Sequence, residues 1–280
     1  MRNPNDRLVR IVTGSRFAFA LTVLIAAAAS ATRPAMSEDD AWSEIRESLF
    51  EQRPIASDGQ SVKLFAPKRA EDAALVPLTI YIAEDRVARA KQLTLVVDQN
   101  PAPVAAVFVF GEAYRSGGEI GDRTIEVRVR LESMSRVRAI LESDDGALYE
   151  ASQFVSGAGG CTSTSLKDVD EALAGIGKIK LKIAREPTRG QAWNEVQLMI
   201  RHPNFSGMQI DTRTNTYTPV RVVDRIDVDA GSMRLLTIES GIAISEDPNF
   251  RFTFARNDQA PLTVVVRDTD GKLFRAQSEQ

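Results

Sequence analysis

The sequence predicts an all-β protein: two immunoglobulin-like β-sandwich domains joined by a Gly-rich, cysteine-bearing arm, with a short helix before the first. Three observations carry this. Apolar residues recur at every second position in a series of short runs, the period of a strand with one buried face. Turn chemistry separates the runs, as at Asp98-Gln99-Asn100-Pro101, Gly117-Gly118, Asp144-Asp145-Gly146 and Asp268-Thr269-Asp270-Gly271. A Gly/Ser/Thr stretch from Ser156 to Ser165 divides the series in two, and 280 residues suit two domains better than one.

Taken in order, Arg2, Arg7, Arg10 and Arg16 precede an apolar run, Phe17 to Ala29, that closes on Ala29-Ser30-Ala31. Basic region, short apolar region and small-residue site predict a secretory signal peptide over 1–31 and export to a bacterial periplasm. The run is short for a bilayer span, and no adjacent Arg pair marks the twin-arginine route. Ser37 is placed to cap a helix whose first turn holds Glu38, Asp39 and Asp40. Trp42, Ile45 and Leu49 then fall at helical spacing, predicting an amphipathic helix to about Phe50 whose stripe packs on the core.

The first sandwich occupies 32–155. Val62 and Leu64, then Leu78, Ile80 and Ile82, alternate with other residues; further strands follow at Leu93–Val97, Val104–Phe110, Ile125–Leu131, Val137–Leu141 and Leu148–Val155. Asp144-Asp145-Gly146 is a hairpin signal between the last two. The arm and linker cover 156–177, with Ser165 capping a brief helix through Ala174 that Gly175 and Gly177 end. The second sandwich, 178–280, opens with Ile179, Leu181 and Ile183 alternating with lysines. It continues at Val196–Ile200, Val220–Val228, Leu235–Ile238, Phe250–Phe254 and Leu262–Arg267.

Composition excludes several functions. A hydrophobic content of 43%, a charged content of 26% and a net charge of -3 describe a globular chain without general affinity for nucleic acid. The single histidine, His202 beside Pro203, reads as a turn residue and leaves no Ser-His-Asp triad or His-rich metal site. The glycines near Cys161 precede no Gly-Lys-Ser/Thr and lack the dinucleotide fingerprint. Asp227 and Asp229 share a strand face that Asp224 does not, which favours a solvated edge over a calcium site. No acid–base pair stands out. The expectation is a protein that is not an enzyme and needs no cofactor or metal.

Cys161 is the one reactive group left. Gly157, Gly159 and Gly160 leave the backbone sterically thin, predicting a pliant, exposed arm. No acid lies between Glu150 and Asp168, so nothing close in sequence opposes thiolate formation. A Gly/Ser linker with an incidental cysteine is the plain alternative. An unpaired thiol in an oxidising compartment favours a working one.

An exported β-sandwich ending in a Gly-Gly-Cys arm resembles SoxY, the sulfur-carrying subunit of the periplasmic thiosulfate-oxidising system. The half after the arm resembles its partner, SoxZ: His202-Pro203, Ser206-Gly207, Thr218-Pro219, then Gly241-Ile242-Ala243-Ile244-Ser245 leading through Asp247-Pro248-Asn249 to Phe250, Phe252 and Phe254. The order most resembles that of the fused SoxYZ-like carriers associated with quinoprotein dehydrogenases. The resemblance implies that Cys161 is the covalent attachment site, with Gly159 and Gly160 as its arm. It also implies partners among periplasmic sulfur-oxidation enzymes or a quinoprotein dehydrogenase system, with no nucleic acid and no membrane once the signal is removed. Two features depart from the pattern: Thr162 rather than glycine follows the cysteine, and Cys161 is internal, so its arm is tethered at both ends. Two other readings stay open, a non-covalent adaptor in which Cys161 is dispensable and a disulfide dimer through Cys161.

Overall fold

The alternating runs become strands because each can bury one face only by meeting another sheet. The computed structural model describes residues 38–117, 121–163, 169–186, 193–255 and 261–278. The predicted signal peptide, Ser37, Gly118 and Ser165 lie outside these. The first half holds α1 (Glu38–Phe50), β1 (Ile55–Ala56), β2 (Val62–Phe65), β3 (Val76–Ile82), α2 (Glu84–Val87), β4 (Ala90–Val97), β5 (Val104–Phe110), α3 (Glu112–Arg115), β6 (Arg123–Val129), β7 (Ser135–Ser143) and β8 (Leu148–Val155). The second holds α4 (Val169–Leu173), β9 (Ile179–Glu186), β10 (Trp193–Ile200), β11 (Ile210–Asp211), β12 (Thr216–Tyr217), β13 (Val223–Ala230), β14 (Met233–Ser240), β15 (Asn249–Ala255), β16 (Leu262–Asp268) and β17 (Leu273–Gln277).

Each half contributes strands to both layers, and the layers run through the join. Among the described residues one sheet has the order β1-β8-β7-β4-β5-β14-β13-β16-β17 and the other β2-β3-β6-β15-β10-β9. β5 and β14 pair antiparallel from Phe110↔Leu236 to Ala106↔Ser240. In the second layer β6 meets β15 at Glu126↔Arg251 and Ile125↔Phe252. In each layer one edge strand of each half (β5 and β14, β6 and β15) is therefore covered by the other half. A shared apolar cluster fills the space between the layers, and Phe108 meets Phe250 across it, ring centroids 6.1 Å apart and edge-on. Gly111 marks how close the join is. A Cβ there would lie 2.1 Å from the Arg234 carbonyl oxygen, and its N–H donates to Leu235 O at 2.9 Å.

Trp42 and Ile45 of α1 pack on a smaller cluster of Phe50, Val96, Ile140 and Leu148, with the Arg138 guanidinium 4.0 Å from the Trp42 ring. Leu49, expected in the same stripe, is exposed instead. The Asp144-Asp145-Gly146 turn joins β7 to β8 in an antiparallel hairpin. The three aspartates of β13 are each matched with arginine: Asp224 with Arg267 at 2.8 Å, Asp227 with Arg225 at 3.0 Å, Asp229 with Arg234 at 2.7 Å. His202 lies in a loop as expected, and is fully buried there. Its Nδ1 is 2.9 Å from Asn204 Oδ1 and its Nε2 3.6 Å from Asp268 Oδ2.

Candidate site around Cys161

The chain leaving β8 does not swing free. Ser156 forms a parallel bridge with Arg69, its N–H donating to Lys68 O and its carbonyl accepting from Ala70 N–H. Gly159 and Gly160 then donate their N–H groups to Glu132 O and Leu131 O at 2.9 and 2.7 Å. A Cβ at Gly160 would stand 2.0 Å from Ala73 O and 2.8 Å from Leu131 O, so only glycine fits there. Gly157 lies three residues earlier, where a Cβ would stand a tight 3.0 Å from that of Ala70. The expected pliant, exposed arm is therefore, up to Gly160, an irregular segment tied by backbone hydrogen bonds to segments 68–73 and 131–132, with only Ala158 exposed. The absence of a Cβ permits mobility in an isolated chain and close backbone approach in a folded one. Here the second outcome holds.

Cys161 itself is fully buried. Glu132 caps the turn: its Oε2 accepts the N–H groups of Cys161 at 3.0 Å and Thr162 at 3.2 Å. Thr162 Oγ1 donates back to Gly159 O at 3.2 Å. The second half closes the other side. Ser206 Oγ donates to Cys161 O at 2.5 Å and Gln209 Nε2 to Ser163 O at 3.1 Å. Ser206 and Gln209 are held ready by one another, Ser206 N–H donating to Gln209 Oε1 at 3.0 Å.

Arg130, beside Glu132 in sequence, is also buried, and its Nη1 donates to the carbonyls of Asn204 and Ile244, both at 2.7 Å. Asn100 holds this segment in place, donating to Arg130 O at 2.8 Å and accepting from Glu132 N–H at 2.9 Å. Burial, and then the charge of Glu132, push the Cys161 thiol up to about 11, with Arg130 pulling the other way. At neutral pH the thiol is protonated and unreactive in this conformation.

The structure thus brings Gly159, Gly160 and Cys161 together with Arg130, Glu132, Ser206 and Gln209, none of the last four being legible as thiol neighbours. An acid does oppose ionisation, but from the β6–β7 connection 29 residues upstream, beyond the reach of a scan along the neighbouring sequence. Ser206 was visible only within Ser206-Gly207. Among the described residues no cluster of His, Cys, Asp and Glu is arranged to hold a metal ion, and no helix is long and apolar enough to cross a membrane.

Comparison with protein families finds sulfur oxidation protein SoxY over residues 46–161 and sulphur oxidation protein SoxZ over residues 181–279. The chain is a fused SoxYZ-like protein. SoxY and SoxZ are carriers rather than enzymes, so this fusion is a sulfur-oxidation carrier. The SoxY match closes on Cys161, and the clasp of Ser206 and Gln209 comes from the SoxZ match. No curated protein matches the chain.

Proposed function

We propose that Cys161 carries a sulfur-containing group covalently and presents it to partner enzymes in the periplasm, the described conformation being the parked state. The observation that carries this reading is the clasp: the chain's sole cysteine, the last residue of the SoxY match, is held by side chains of both halves through a few polar contacts. Hydrogen bonds of this kind each contribute about 1 kcal/mol net, so lifting the 161–163 turn off Glu132 costs little beside unfolding. Once in water the thiol regains an ordinary pKa. Its thiolate attacks a sulfur of the donor's S–S bond, a new S–S bond forms on Cys161, and the donor's other sulfur leaves with the electron pair and takes up a proton. Parking would shield an unpaired thiol in an oxidising compartment between loadings.

Burial and the raised pKa favour a second reading, a non-covalent adaptor for an exported quinoprotein dehydrogenase in which Cys161 is dispensable. Intact mass of the protein recovered from periplasm, before and after reductant, separates the two. The carrier gives a reductant-labile mass increase on Cys161, absent from Cys161→Ser, and that variant loses function. An unmodified thiol under sulfur-oxidising growth, with a fully active Cys161→Ser variant, would leave the adaptor. A doubled mass that halves on reduction would mean a disulfide dimer.

A further inference from the structure

The join in the six-stranded sheet is incomplete. β6 and β15 pair as strands at Glu126 and Ile125, and antiparallel pairing between the halves in this layer is next seen at the Val129–Ile244 bridge. Beside the gap lies an open groove of about 360 Å³ lined by Arg128 of the first half and by Lys178, Lys180, Arg201 and Asp247 of the second, with Met199 among its apolar walls. A second cavity of about 160 Å³ shares Arg128 with it. Four cations thus face one carboxylate. That carboxylate is already engaged, Asp247 Oδ2 accepting from Arg201 at 2.7 Å and Oδ1 from His202 N–H at 3.1 Å. Arg128 reaches only the Asp247 carbonyl, at 3.4 Å, and its Nε is buried without a hydrogen-bond partner. Among the described residues Arg128, Lys178 and Lys180 have no carboxylate within ion-pairing distance.

We infer that this seam groove is a binding site for a small oxoanion. Converging like charges repel, and a buried guanidinium N–H left without an acceptor costs more than a satisfied one stabilises. A tetrahedral oxoanion removes both penalties, because its oxygens match the guanidinium fork and accept from ammonium groups as well. The volume lies at the small-ligand end of pocket sizes, and the groove is open, with the exposed Lys178 and Lys180 at its rim where an anion can enter. Both halves supply cations, so the bound anion bridges the join. The site does not involve the thiol and stands whether or not the carrier reading does.

The test uses the full-length Cys161→Ser chain, titrated with sodium sulfate against sodium chloride at constant ionic strength and followed by calorimetry and thermal melting. The expected result is saturable binding of one sulfate per chain and a rise in Tm that chloride does not reproduce. Arg128→Gln and, separately, the exposed Lys180→Gln should each weaken binding by roughly tenfold, the loss of one charge-assisted hydrogen bond. Equal effects of sulfate and chloride would overturn the inference, as would undiminished binding by Lys180→Gln. A polyglutamate peptide that binds where sulfate does not would also overturn it and assign the face to an acidic protein partner.

Discussion

Glu132 and Gly160 act on the same turn by different physics, one through charge and one through the space it leaves empty. Glu132→Gln keeps an oxygen for the Cys161 and Thr162 N–H groups but removes the anion beside the thiol. Its thiol pKa is expected to fall below about 11, read as a lower midpoint in the pH dependence of iodoacetamide labelling; an unmoved midpoint would contradict the assignment. Gly160→Ala forces a Cβ against the Ala73 carbonyl. We expect a loss of about 1–3 kcal/mol from overpacking, with faster labelling of Cys161 as the turn lifts. Gly157→Ala should cost less, because its nearest neighbour is a side-chain methyl at 3.0 Å. Acid acts on the buried pair His202 and Asp268. Burial holds His202 below its ordinary 6.5. At Asp268 burial raises the pKa, but Arg221 and the Lys272 N–H outweigh it and hold the group below its usual 3.8. Both shifts are downward, so both contribute stability at neutral pH that is lost on acidification, His202 below about pH 6.5 and Asp268 below about pH 4. Tm is expected to fall through these two windows, and the earlier fall should vanish in His202→Gln.

At the scale of elements, the decisive contacts are those between β5 and β14 and between β6 and β15. Phe108 and Phe250 come one from each half and meet edge-on in the core. Phe108→Ala is expected to cost about 3–5 kcal/mol by chemical denaturation. A double-mutant cycle with Phe250→Ala should show a coupling of about 0.5–1.5 kcal/mol, whereas strict additivity would mean the halves pack independently. The long strands were legible because period-two burial writes itself into seven or eight residues, as in the buried–intermediate alternation of β6 and β16. The short elements were not. β1, β11 and β12 have two residues each and α2 and α3 four, too few for any period to show. β17 escaped because its alternating exposed and half-buried residues form an edge strand with little apolar signal.

For the molecule as a whole, the two family matches share two continuous sheets and one apolar cluster. Neither half can unfold without exposing strand edges and core surface of the other. Calorimetry is therefore expected to show one cooperative transition with equal calorimetric and van't Hoff enthalpies; two resolved transitions would show that the join is not a shared core. Covalent fusion also fixes the clasp. Ser206 and Gln209 meet the cysteine turn at a local concentration set by the chain rather than by subunit association.

The sequence by itself determined the β class, the alternation of buried and exposed faces, the main hairpins and the resemblance to a SoxY–SoxZ fusion, because these depend on short-range periodicity, turn chemistry and motif order. It also singled out Cys161. Only the tertiary structure decided that the thiol is buried, that Gly160 is there for close packing, and that Glu132, Arg130, Ser206 and Gln209 surround the cysteine turn. Burial and electrostatic neighbourhood are properties of pairs brought together across the sheets, and Cys161 and Ser206, 45 residues apart, meet only through the fold. The join follows the same rule: which strand edge covers which depends on two surfaces at once, and neither surface is written in a single stretch of sequence.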